Sequence, residues 1–205
     1  LLRAFCEASR DSILVCPPTY GVYQVAADLQ GADVVSVPLT EKFDLDLKAI
    51  KETWNPSIKI VFICSPNNPT GNLVSLSDIK ALCSSLAQKA LVVVDEAYIE
   101  FSDSPSAVTL LPDFSNLLVL RTLSKAWGLA GARCGVGIAQ KPLIDLLQKV
   151  RAPYPLTTPS IQLVAECISE SGQKQAESRI LELHKERAWL KEQLLQLLRC
   201  RLVPK

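Results

Sequence analysis

A single histidine, His184, and no methionine at all set the first limits on what this chain can do. Its seven cysteines, Cys6, Cys16, Cys64, Cys83, Cys134, Cys167 and Cys200, are scattered, with no Cys-x-x-Cys pair among them. With one imidazole and no ligand spacing, a zinc or other metal centre is not expected. The odd cysteine count and the apolar runs that hold most of them also speak against a disulfide framework. They read as small buried hydrophobes in a reducing compartment, which points to the cytoplasm. His184 lies in a charged helical run and is expected to be a solvated helix position without a catalytic part.

Long apolar runs are missing too. No stretch approaches a membrane span, and the opening Leu1 to Cys6 lacks the basic-then-apolar layout of a signal peptide. Neither sign of charge dominates: lysine plus arginine number 22 against 21 for aspartate plus glutamate. No strong field therefore draws the chain to nucleic acid or to an anionic membrane. No Gly-x-Gly-x-x-Gly follows a strand and no Gly-Lys-Ser/Thr closes a phosphate loop, which disfavours dinucleotides and nucleoside triphosphates. Without methionine at position 1, and opening in mid-helix pattern, the chain is expected to be a fragment.

What is present is a regular alternation. Short apolar runs at Ser12–Cys16, Asp33–Val37, Ile58–Cys64, Leu91–Val94 and Asn116–Leu120 predict strands, with one more at Cys134–Ala139. Helical patterns fall between them at about Tyr20–Gln30, Asp46–Thr53, Ser77–Gln88 and from Pro142 to about Val150. Strands alternating with helices of about ten residues predict an α/β fold, a mostly parallel sheet with helices on both faces. The stiff Ala152-Pro153-Tyr154-Pro155-Leu156 then gives way to purely helical patterns at Ser160–Ser169 and Gln173–Leu198. This shift divides a core at 1–150 from a linker and helices at 151–205.

Polar motifs punctuate the strand ends: Tyr20, Asn68, Asp95 with Tyr98, and Thr122-Leu123-Ser124-Lys125 with Arg133. Parallel strands carry their carboxyl ends to one side, where open α/β sheets bind ligands. Each motif has an ordinary reading alone: a solvated lysine, an aspartate that caps a turn, a plain β-turn at Asn68-Pro69-Thr70-Gly71, a surface arginine, packing tyrosines. Together they offer what pyridoxal phosphate requires. Lys125 would form a Schiff base with the aldehyde carbon, and Asp95 would hold the proton on the ring nitrogen. Asn68 and Tyr98 would donate to the phenolic oxygen, and Thr122, Ser124 and Arg133 would hold the phosphate. Tyr20 would stack on the ring face.

The strings Ser65-Pro66-Asn67-Asn68-Pro69-Thr70-Gly71, Asp95-Glu96-Ala97-Tyr98 and Ser124-Lys125, with Arg133 eight places on, closely resemble the class I and II aminotransferases of fold type I. Within that group, Cys16 to Gly21, Val94 to Ile99, Arg121 to Ala126 and Ala152 to Leu156 are similar to histidinol-phosphate aminotransferases. The resemblance covers essentially the whole chain but only the central part of a full-length member. It implies amino transfer between histidinol phosphate and 2-oxoglutarate in histidine biosynthesis, with Lys125 also moving a proton between substrate and cofactor carbons. It implies a homodimer, and it matches the family's cofactor residues to Tyr20, Asn68, Asp95, Tyr98, Thr122, Ser124, Lys125 and Arg133. A small domain carrying the carboxylate-binding arginine and an N-terminal arm are expected in a full member and have no counterpart in this stretch. A phospho-amino-acid decarboxylase and a non-catalytic piece of the fold are the alternatives.

Overall fold

The computed structural model describes residues 1–198. Six strands, β1 (Ser12–Val15), β2 (Asp33–Ser36), β3 (Ile58–Cys64), β4 (Leu91–Asp95), β5 (Leu117–Thr122) and β6 (Gly135–Ala139), form one sheet in the order β2-β1-β3-β4-β5-β6. The first five are parallel, and β6 runs antiparallel on β5, with Thr122 opposite Gly135. The α-helices among the described residues are α1 (Leu2–Phe5), α2 (Val22–Gln30), α3 (Leu47–Thr53), α4 (Leu76–Ser85), α5 (Lys141–Val150), α6 (Thr158–Cys167) and α7 (Glu170–Leu198). The expected mostly parallel sheet with flanking helices is what forms.

The period of two along each strand divides the core. Val61 and Ile63 of β3, with Val92 and Val94 of β4, face α3 and α4, where Ile50, Ile79 and Leu82 close the layer. Ile60, Phe62 and Cys64, with Leu91 and Val93, face the opposite way and meet Tyr23 and Ala27 of α2. Asp95 follows Leu91 and Val93 at the same parity, so its side chain belongs to the α2 side of the sheet. That placement sets its environment.

Helix ends follow local chemistry. Gly31 stops α2 in the left-handed region at φ 72, and its missing side chain leaves room for Ala8, whose Cβ would stand 3.1 Å from any added one. Ser75, not the expected Ser77, caps α4: its Oγ accepts the Asp78 N–H at 3.0 Å. The Asp78 carboxylate lies 2.7 Å from the same hydroxyl, so the serine that can close this three-residue loop fixes the helix start. Helix α7 starts three residues earlier than its apolar pattern suggests, at Glu170. The described cysteines are all free, five of them buried; Cys200 lies outside the described residues. Among the described residues no helix is long and apolar enough to cross a membrane.

Candidate active site

The carboxyl ends of β1, β3, β4 and β5 lie side by side, and a cavity of about 550 Å³ opens over them. Tyr20, Asp95, Tyr98, Thr122, Ser124, Lys125 and Arg133 all line it. Asn68 stands just outside. It faces a second cavity of about 550 Å³, and Tyr98 is the wall between the two. The Asn68 amide donates to the Tyr98 hydroxyl at 3.4 Å, so the eight expected residues form one connected set. The Asn67–Gly71 turn that carries Asn68 is closed by the Gly71 N–H on the Asn67 carbonyl at 2.8 Å. Asn67 itself is buried, donating to the Pro18 carbonyl and accepting from Thr19, which ties this loop to the one bearing Tyr20.

Asp95 ends β4 in register with Cys64 and Leu120. Its Oδ1 accepts the Ala97 N–H at 3.1 Å and its Oδ2 accepts the Tyr23 hydroxyl at 2.7 Å. Burial pushes its carboxyl above the usual range, opposed by those two bonds and by the charge of Lys125. Tyr23 is the residue that sequence reasoning missed. A usable signal was present, since Tyr23 and Ala27 stand four apart on the buried stripe of α2.

Lys125 reaches the cavity from a solvated turn. Strand β5 continues to Thr122, so Lys125 stands three residues past its end, in a turn closed by the Gly128 N–H on the Lys125 carbonyl at 2.9 Å. There it is exposed on the cavity wall, with Nζ 5.4 Å from the centre of the Tyr98 ring. Thr122 and Ser124 hold each other beneath it, hydroxyl to hydroxyl at 3.0 Å. Arg133 is exposed, left-handed at φ 52, and donates to the Ala130 carbonyl at 3.0 Å; among the described residues it makes no ion pair. Tyr20, 41% exposed, packs edge-on against Tyr23 at 5.6 Å.

Residues 1–202 match the family model described as aminotransferase class I and II. The chain belongs to the class I and II aminotransferase family. A histidinol-phosphate aminotransferase of Vibrio vulnificus is 50% identical over 190 residues, 93% of this chain and 55% of the relative. The chain thus spans about half the length of the curated relatives it matches. Among solved structures, the histidinol-phosphate aminotransferase from Clostridium acetobutylicum aligns with a TM-score of 0.82 at 26% identity, covering 91% of this chain and 56% of that one. The same enzyme from Sinorhizobium meliloti, in complex with pyridoxal-5'-phosphate, shares the fold with a TM-score of 0.82 at 24% identity, covering 91% of this chain and 50% of that one.

In this member of the family the lysine turn is braced from behind. Arg121, on β5, pairs with Glu100 at 2.8 Å and Glu96 at 3.5 Å, and Glu100 also accepts the Trp127 indole N–H at 3.2 Å. Glu96, only 2% exposed, takes the Ser106 hydroxyl and the Ala107 N–H at 2.6 Å each. The buried glutamate therefore ties the loop after β4 to the strand that delivers Lys125. His184 also differs from its expected solvated position. It is half-buried because α7 packs on the 3-10 turn Ile99–Phe101, where its Nε2 lies 3.1 Å from the Phe101 carbonyl.

Proposed function

We propose that this chain is the cofactor-binding part of an aminotransferase that holds pyridoxal phosphate and moves an amino group between histidinol phosphate and 2-oxoglutarate, a step of histidine biosynthesis. One observation carries the reading: the strand ends gather an amine, a half-buried carboxylate, two hydroxyls and a guanidinium around a single cavity of about 550 Å³. That donor set fits the cofactor's aldehyde, ring nitrogen and phosphate in turn. The choice of substrate pair is supported by the 50% identity to the Vibrio vulnificus relative.

Bound there, the cofactor supplies an aldehyde and an electron-withdrawing ring. Lys125 Nζ would be the amine that holds the aldehyde, and the group placed to take and return the proton of the amine-bearing substrate carbon. Asp95 would hold the ring nitrogen's proton through its carboxylate. Tyr98 would present its hydroxyl to the ring oxygen, with the Asn68 amide behind it; Thr122, Ser124 and Arg133 would hold the phosphate, and Tyr20 would cover a ring face. A homodimer and a cytoplasmic location belong to the same reading, the second supported by six free thiols among the described residues.

Mixing the chain with pyridoxal phosphate tests this directly. A near-visible absorbance band is expected, together with amino transfer from histidinol phosphate to 2-oxoglutarate when the full relative-length protein is assayed. Lys125→Ala should abolish both. A band that survives in Lys125→Ala removes that lysine from its role.

A further inference from the structure

We infer that Tyr23 is a positioning residue for Asp95: its phenol hydroxyl, donated to Oδ2, keeps the carboxylate anionic and fixed in the cavity wall, ready to pair with the ring N–H of the cofactor. The inference rests on the cofactor reading of the cavity. It concerns a residue on α2, 72 positions from its partner in sequence.

Tyr23 is 6% exposed, and its ring is clamped on two sides. It stacks on Phe62 with centroids 4.6 Å apart and planes 11° from parallel, while Tyr20 packs edge-on at 87°. A phenol held so cannot swing its hydroxyl elsewhere, and its 2.7 Å bond to Oδ2 is a well-formed one. The groups facing Asp95 are Tyr23 from α2, Cys64 from β3 and Lys125 from the turn after β5. Burial pushes both the Tyr23 phenol and the Cys64 thiol up, so at neutral pH each keeps its proton and Tyr23 stays a donor. The carboxylate has lone pairs to spare. Oδ1 takes the Ala97 N–H, Oδ2 takes the phenol, and capacity remains for one donor from the cavity. Without the phenol, burial would act on Asp95 with less opposition, and the carboxyl would hold its proton to higher pH. A protonated Asp95 offers no charge to a ring N–H.

If Tyr23 only packs on Phe62, then Tyr23→Phe changes nothing beyond stability, because the ring is retained. The experiment titrates the full chain, wild type and Tyr23→Phe, with two ligands between about pH 5.5 and 8.5. One is pyridoxal phosphate. The other is its carbocyclic analogue, with C–H in place of the ring nitrogen and the aldehyde, hydroxyl and phosphate retained. Circular dichroism confirms that both proteins are folded. The variant is expected to bind pyridoxal phosphate about tenfold more weakly or worse, the usual scale for losing a hydrogen bond to a charged group. Its affinity for the carbocyclic analogue should match the wild type within about twofold, and the acid-side midpoint of pyridoxal phosphate binding should move to higher pH. In an Asp95→Asn background, adding Tyr23→Phe should have no further effect on pyridoxal phosphate. Equal losses for both ligands, no loss for either, or a full effect of Tyr23→Phe in the Asp95→Asn background overturns the inference. A wild-type chain that binds neither ligand overturns the cofactor reading, and this inference with it.

Discussion

Asp95 is a carboxylate whose chemistry is set by strand parity. Standing one step beyond Val93 on the α2 side of the sheet, it is drawn into low-dielectric surroundings that favour its neutral form. A carboxyl whose folded pKa is raised contributes stability that is present below its ordinary value, near 4, and is lost as pH rises through the raised value. At neutral pH the cofactor-free protein therefore carries a cost there, held for function. Asp95→Asn should melt at a higher temperature than wild type at pH 7 without cofactor, with the gap closing toward pH 4. Calorimetry at the two pH values reads it, and a variant less stable at pH 7 would contradict the burial argument. Lys125 shows the converse. Its reach into the cavity comes from a turn exposed to water, and Tyr98 rather than an apolar pocket is its neighbour.

At the scale of elements, caps and alternation account for where each motif lands. Strand β4 delivers Asp95 because Leu91, Val92, Val93 and Val94 fill both faces of the sheet and leave the fifth residue at the edge. Helix α4 tests how finely the sequence specifies a start. Ser75 accepts the Asp78 N–H, whereas Ser77 lies within the first turn and touches only the Ser75 hydroxyl, at 2.7 Å. Ser75→Ala should cost about 1 kcal/mol in urea unfolding, the usual value for a lost N-cap. Ser77→Ala should change stability by less than about 0.5 kcal/mol. Equal losses would show that the cap is shared.

At the scale of the molecule, apolar surface collects on the C-terminal helices. Ile161 and Leu163 of α6, and Leu181, Leu183, Trp189 and Leu190 of α7, are exposed. Exposed apolar residues in this number, spread along both helices, are candidates for a surface that associates. Under the proposed function a second copy covers part of such surface, since the family resemblance implies a homodimer. Light scattering should therefore return twice the 22.4 kDa chain mass at micromolar concentration. Trp189→Glu should lower that mass toward one chain, and a single-chain mass for the wild type would refute the dimer.

Much of this was legible in the chain itself. The strands, the order of helices between them and the strand-end positions of Tyr20, Asn68, Asp95, Thr122 and Lys125 follow from periodicity and turn chemistry, which act between residues close in sequence. The likeness to class I and II aminotransferases was legible too, but it is carried by the motif strings Ser65–Gly71, Asp95–Tyr98 and Ser124-Lys125 with Arg133 rather than by periodicity. The meeting of Tyr23 with Asp95 was not legible, because it depends on which face of β4 lies under α2. Likewise, His184 leaves solvent only because α7 crosses the turn after β4, and Lys125 stays wet because β5 ends three residues before it. The sequence by itself determined which residues stand at the strand ends. The tertiary structure decided which of them touch, how dry each one is and who holds the carboxylate, because burial and long-range hydrogen bonds exist only once the layers have packed.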